Sequence, residues 1–131
     1  MKFAISIAIA IAISIASFTF VSANPISAQQ SFHQHYPNIP GEVLFENEKV
    51  VVQKYVVQPG EWEGVHTHSG NQVYVHLKGG EWTVRYGDKK ETSVSEDGSV
   101  GWMGKVTMEQ QHESGNTGSE PIEFLWITIK E

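Results

Sequence analysis

From Glu42 to the end of the chain, apolar residues fall in short runs separated by glycine and charge. Residues 50–57 (VVVQKYVV) are β-branched and aromatic, and Pro59-Gly60 ends the run. Such a run, closed by a turn pair, predicts a strand. Gln72–Leu77 predicts a second strand, stopped by Gly79-Gly80. In Glu81–Tyr86, Trp82, Val84 and Tyr86 alternate with Glu81, Thr83 and Arg85, so the two sets face opposite sides of a strand. Lys90–Val94 continues in extended form after the turn signal Gly87-Asp88, and Asp97-Gly98 marks another turn. Ile122–Ile129 (IEFLWITI) closes the chain. No amphipathic helical period appears in this region. Many short strands with regular turn signals predict an all-β sandwich or barrel.

The final strand is apolar on both faces. Phe124 and Trp126 share one side; Leu125, Ile127 and Ile129 share the other. A barrel interior covers one side only. A second sheet, the N-terminal arm or the partner in a homodimer would cover the other.

The N-terminal region follows a different pattern. Lys2 precedes an uncharged, mainly apolar stretch from Phe3 to Phe20, and small residues follow. This is the pattern of an export signal peptide over residues 1–28, cleaved after Ala23 or Ala28. The stretch is near the lower length limit of a membrane span, and its serines and alanine-rich exit favour cleavage over a stable membrane anchor. The expectation is a periplasmic or secreted protein. Residues 29–41, with prolines at 37 and 40, read as an extended, exposed N-terminal arm, and residues 42–131 as one domain.

Composition narrows the chemistry. Beyond the leader, the chain carries eight basic and 15 acidic residues, a balance of −7 with histidine neutral. Nucleic-acid binding needs the opposite sign. Cysteine is absent, which excludes a disulfide scaffold and a thiolate metal site. No nucleophile elbow and no phosphate-binding loop occur.

Histidine spacing carries the positive signal. His66 and His68 are two apart, so on a strand both imidazoles project to one side and can meet one ion. Gln72 follows after the Ser-Gly-Asn turn, which can bring its amide near the same point. Gly60 stands six positions before His66, and Gly79 seven positions after Gln72. This register resembles the first motif of the cupin family, G-x5-H-x-H-x3,4-E-x6-G, with Gln72 at the usual glutamate position. The second cupin motif is looser. Gly98 opens it and His112-x3-Asn116 closes it, but the Pro-x-Gly is missing and the interval is three residues longer. The resemblance spans about residues 42–130 and is nearest to small, single-domain bacterial cupins.

That resemblance implies a jelly-roll β-barrel, the double-stranded β-helix, with one divalent transition metal ion (Fe, Zn, Mn, Ni or Cu) held by His66, His68, Gln72 and His112. Glu109 is the rival to His112. Some metal-binding cupins are similar in using glutamine where Gln72 stands. An amide leaves the ion its full formal charge, which favours an anionic ligand. The alternative for Gln72 is a hydrogen bond to a neighbour, leaving three histidines at the ion.

Alternation carries Gln72's facing to Tyr74 and His76, the candidates for proton transfer. For His76, a satisfied, partly buried histidine is the plainer reading. Trp102 or Met103 would cap the pocket mouth. Arg85 should face solvent, and Glu109 and Glu113 should point away from His112 by strand parity. His33 and His35 form a second His-x-His within the arm, where a surface site or no site is expected. The resulting expectation is a metal-dependent enzyme of dioxygenase, isomerase or lyase type acting on a small anionic molecule. A non-catalytic small-molecule or metal-binding module, or a structural barrel with a vestigial site, are the alternatives.

Overall fold

A computed structural model describes residues 31–131. The leader and both cleavage sites lie outside the described residues.

Eight strands in chain order make up the domain: β1 (Glu42–Glu46), β2 (Val50–Val57), β3 (Gln72–Lys78), β4 (Gly80–Tyr86), β5 (Lys89–Ser95), β6 (Val100–Met103), β7 (Glu113–Asn116) and β8 (Ile122–Ile129). A single 3₁₀ turn, Met108–Gln110, lies between β6 and β7. The strands form two antiparallel sheets. One has the order β1-β2-β8-β3-β6 and the other β5-β4-β7. The all-β expectation holds, and β2, β3, β4, β5 and β8 lie where the apolar runs predict them. Strands β1, β6 and β7 carry weaker patterns and emerge from pairing with their neighbours.

Alternation decides which side chains enter the interior. On β2, Val51, Gln53, Tyr55 and Val57 are buried; on β8, Ile122, Phe124, Trp126 and Thr128 are buried. The core joins Tyr55, Val57, Ile122, Phe124 and Trp126 to Tyr36 and Ile39, with Tyr74, Trp82 and Met103 packed against it. Aromatic rings meet mostly edge to face, as at Tyr36–Tyr55 (centroids 4.8 Å apart) and Trp82–Phe124 (5.8 Å). The outward side of β8 (Leu125, Ile127, Ile129) is half-buried.

The arm departs from expectation. It was expected to be exposed, yet Gln34, Tyr36 and Ile39 are buried. Gln34 and Tyr36, two apart, turn inward before Pro37, and Ile39 turns inward between Pro37 and Pro40. Gln34 ties the arm down by exchanging hydrogen bonds with Gln53: its N–H donates to Gln53 Oε1 (2.7 Å), and its carbonyl accepts from Gln53 Nε2 (3.1 Å). The same carbonyl accepts from the Tyr55 hydroxyl (2.6 Å). The arm is therefore part of the core. Ile39→Ala should cost about 2–5 kcal/mol of stability, the range for a truncated core aliphatic. Urea denaturation measures it; a loss within about 0.5 kcal/mol, as at surface sites, would show that the arm is only laid on the surface.

Candidate metal centre

The segment Trp62–His68 lies outside the regular strands, yet it runs antiparallel to residues 106–115. Bridges join Trp62 to Gly115, His66 to His112 and His68 to Val106. The His66 N–H donates to the His112 carbonyl (2.9 Å), and the His112 N–H donates to the His66 carbonyl (3.2 Å). Directly opposed residues on an antiparallel pair project to the same side, and so do residues i and i+2. His66, His68 and His112 therefore converge, with one ligand nitrogen from each within 4.8 Å of the others. All three are buried.

Hydrogen bonds select the ring nitrogens. Gln72 Nε2 donates to Gln34 Oε1 (3.2 Å) and to Thr128 Oγ1 (2.9 Å). The amide protons are thus used, and Gln72 Oε1 accepts from His68 Nδ1 (2.6 Å). His66 Nδ1 donates to the Gly64 carbonyl (2.8 Å). In both residues, Nδ1 carries the proton and Nε2 keeps its lone pair free. His68 Nε2 lies 3.4 Å from His112 Nε2. Tyr36 packs edge-on against His66 (4.6 Å), and Trp126 against His68 (5.2 Å), which holds the rings in place.

Burial sets the charge state. It pushes His66 down to about 3 and His68 down to about 4, against the hydrogen bonds to Gly64 and Gln72, which act in the opposite sense. Burial lowers His112 as well. The centre therefore presents neutral imidazoles, the form that binds metals.

The expected site residues divide into groups. His66, His68 and His112 come together. Gln72 is fully buried but stands behind His68, its oxygen on Nδ1, because Gln34 and Thr128 engage its amide nitrogen. This is the hydrogen-bonding role rather than the ligand role. Tyr74, His76 and Met103 line a cavity of about 190 Å³ that opens from the three histidines. Trp102 is 57 % exposed and lies outside that lining, since it neighbours Met103 on β6 and faces the opposite way. His76 Nδ1 is 3.1 Å from Ser99 Oγ. Glu109 is exposed on the 3₁₀ turn, away from the cavity. Arg85 and Glu113 pair with each other at 3.4 Å, and the Arg85 guanidinium covers the Trp62 ring. His33 pairs with Glu46 at 2.9 Å, outside the centre.

Sequence reasoning passes over Glu63. It is 1 % exposed, it lines the cavity, and its Oε2 is 3.7 Å from His66 Nε2. On an unbroken strand, a residue three positions before His66 faces the other way. The strand is broken here. Four steps separate Trp62 from His66, while three separate Gly115 from His112, so one extra residue is inserted. Gly64, at φ 84°, takes up the insertion. Val65 then points outward at 55 % exposure, and Glu63 joins His66 inside. A glycine within an extended histidine run was the available signal. Burial raises the Glu63 carboxyl well above its ordinary range, although Ser114 and Tyr36 side chains hydrogen-bond it.

A family model described as a cupin domain matches residues 53–128. The chain belongs to the cupin family. A search of curated protein sequences finds no match. Among solved structures, the chain is similar to a cupin domain from Bordetella pertussis Tohama I, at 24% identity over 76% of this chain and 100% of that one, with a TM-score of 0.64. It is also similar to an RmlC-like cupin with a double-stranded β-helix fold from Methanocaldococcus jannaschii, at 20% identity over 81% and 93% of the two chains, with a TM-score of 0.56. A predicted oxalate decarboxylase from Thermotoga maritima matches at 24% identity over 70% and 79%, with a TM-score of 0.50. These likenesses establish the jelly-roll fold of this cupin. Its three-histidine cluster is a set that can hold a metal ion.

The neutral imidazoles make metal-free stability depend on pH. In the unfolded chain each imidazole takes a proton near its ordinary value of about 6.5. In the folded chain His66 and His68 stay neutral down to about 3 and 4. The unfolded state thus binds more protons through this window, so stability falls as pH falls. Glu63, raised on folding, acts in the opposite sense at one group against the lowered histidines. Urea midpoints of the metal-free protein should therefore drop steadily from pH 7 to pH 4.5. A flat or rising midpoint would show that the imidazoles are not held neutral.

Proposed function

We propose that this cupin is a metal-dependent enzyme of dioxygenase, isomerase or lyase type that acts on a small anionic or chelating molecule. The observation that supports this reading is the convergence of His66, His68 and His112 in the lining of a cavity. A divalent ion held there would supply Lewis acidity and open coordination positions. The protein's own groups would bind and orient the substrate. The cavity volume of about 190 Å³ suits a molecule of few heavy atoms. Tyr74, Tyr86, Ser93 and Ser95 line it with hydroxyl donors, and Trp82 and Phe124 with aromatic surface. Burial keeps His76 neutral at ordinary pH, and its Nδ1 faces Ser99, so Nε2 is the atom suited to take or give a proton.

The leader pattern over residues 1–28 supports export to the periplasm or the medium. The outer side of the five-stranded sheet supports a homodimer. Phe45, Val52, Ile127, Val73 and Trp102 form one cross-strand row over all five strands, with Phe45 and Trp102 more than half exposed.

Two measurements test these readings. After metal reconstitution, the purified protein should carry about one transition metal ion per chain by elemental analysis, and His112→Ala should lose most of it. No stoichiometric metal in the parent would refute the enzyme reading; equal loading in His112→Ala would refute the ligand assignment. In sedimentation velocity, the parent should run as a dimer and Ile127→Glu as a folded monomer. A monomeric parent at tens of micromolar would exclude the dimer.

A further inference from the structure

The family match begins at residue 53, so the arm lies outside it, yet arm residues act on each position from His66 to His68. Tyr36 packs its ring against His66, with centroids 4.6 Å apart. Gln34 Nε2 donates to the carbonyl of Thr67, the residue between the two histidines (3.0 Å). Gln34 Oε1 accepts from Gln72 Nε2 (3.2 Å), and Gln72 Oε1 accepts from His68 Nδ1 (2.6 Å). One buried side chain thus grips the His-x-His backbone with its donor and the partner of His68 with its acceptor.

The Gln34 backbone is anchored separately, by Gln53 and the Tyr55 hydroxyl, so the side chain starts from a fixed point on β2. The Thr67 carbonyl needs a donor and the Gln72 N–H an acceptor, and a glutamine amide offers both. A carboxylate at position 72 would face Gln34 Oε1 acceptor to acceptor, or take the donor that Thr67 now uses. The arm therefore accounts for an amide where the first cupin motif usually has glutamate. An imidazole held in one tautomer and orientation before an ion arrives loses less freedom on binding it.

We propose that the N-terminal arm is a working part of the metal centre, and that Gln34 is a positioning residue that presets His68 and so raises the affinity for a divalent ion. Docking of the arm and loading of the ion are then coupled, and each strengthens the other by the same factor. This inference rests on metal binding at the three histidines, as proposed above. It adds to that centre an element from outside the matched domain.

Calorimetric titration of the metal-free protein with Zn²⁺, and visible absorption after Co²⁺ loading, test it. Gln34→Met keeps an unbranched side chain and the backbone bonds to Gln53 and Tyr55, and removes the amide. It should weaken Zn²⁺ binding about tenfold or more, the effect of losing an outer partner of a metal-bound histidine, and change the Co²⁺ spectrum. Gln34→Ala takes its place if Gln34→Met does not fold. Ile39→Ala, a core residue of the same arm outside the centre, should melt lower yet bind Zn²⁺ like the parent. In the parent, Zn²⁺ should slow hydrogen exchange at the bonded amides of Gln34 and Asn38 more than in β5. Parent affinity and an unchanged Co²⁺ spectrum in the Gln34 variant, an equal loss in Ile39→Ala, or arm amides indifferent to Zn²⁺ would each overturn the role of the arm and leave the three-histidine centre standing. A parent that binds neither ion would overturn both.

Discussion

The antiparallel pairing of residues 62–68 with residues 106–115 is the constraint on which the centre depends. Neither segment is a long strand, and their contact is a set of isolated bridges. The reciprocal hydrogen bonds between His66 and His112 set two distant residues side by side. The two-residue spacing adds His68 to the same side. The unequal count between the bridges adds Glu63, which a regular ladder would have pointed outward. Shifting this pairing by one residue would send the imidazoles to the outer surface. The β-sheets on either side serve this segment by holding its two flanks in place.

The rest of the interior is polar to an unusual degree for a domain of this size, and the way it is satisfied explains the site. Gln34, Gln53, Gln72 and Thr128 are all buried. Each finds partners in one connected network that also includes the Tyr55 hydroxyl. Hydrogen bonding removes most of the cost of burying such groups. The network also transmits orientation. Gln34 fixes the Gln72 amide, the amide fixes the His68 proton on Nδ1, and the remaining nitrogen is left as a base. Outside this network, Glu63 Oε1, His66 Nε2 and His112 Nδ1 are buried without a hydrogen-bond partner. Buried polar atoms left unpaired at the histidine cluster suit a ligand there.

Much of this was legible in the sequence, for identifiable reasons. Apolar runs bounded by turn signals located β2, β3 and β8, and strict alternation located β4. The His66, His68 and Gly79 register pointed to the family and the metal cluster. His112 needed the resemblance, since nothing local distinguishes it from His76. Three features were hidden. Whether Gln72 faces the ion or its neighbour depends on Gln34, nearly forty residues earlier in a segment with no regular period. The burial of Tyr36 and Ile39 comes from tertiary packing of a proline-rich stretch, which composition reads as exposed. Glu63 was lost because parity arguments assume an unbroken strand, and Gly64 breaks it. The weak pattern at Val100–Met103 left Trp102 and Met103 unresolved until their neighbours on β3 fixed which one turns inward.

Overall charge and local charge also separate. The domain beyond the leader is acidic by seven charges, which favours solubility and repels anions at long range. No basic side chain lines the cavity to reverse that field. An anion entering it would therefore depend on a metal ion at the three histidines, aided by the neutral hydroxyl and imidazole groups of the lining. With neutral imidazoles as its ligands, a divalent ion at the three histidines would keep its full formal charge. In a buried, aromatic-walled space such a charge would favour an anionic or chelating ligand.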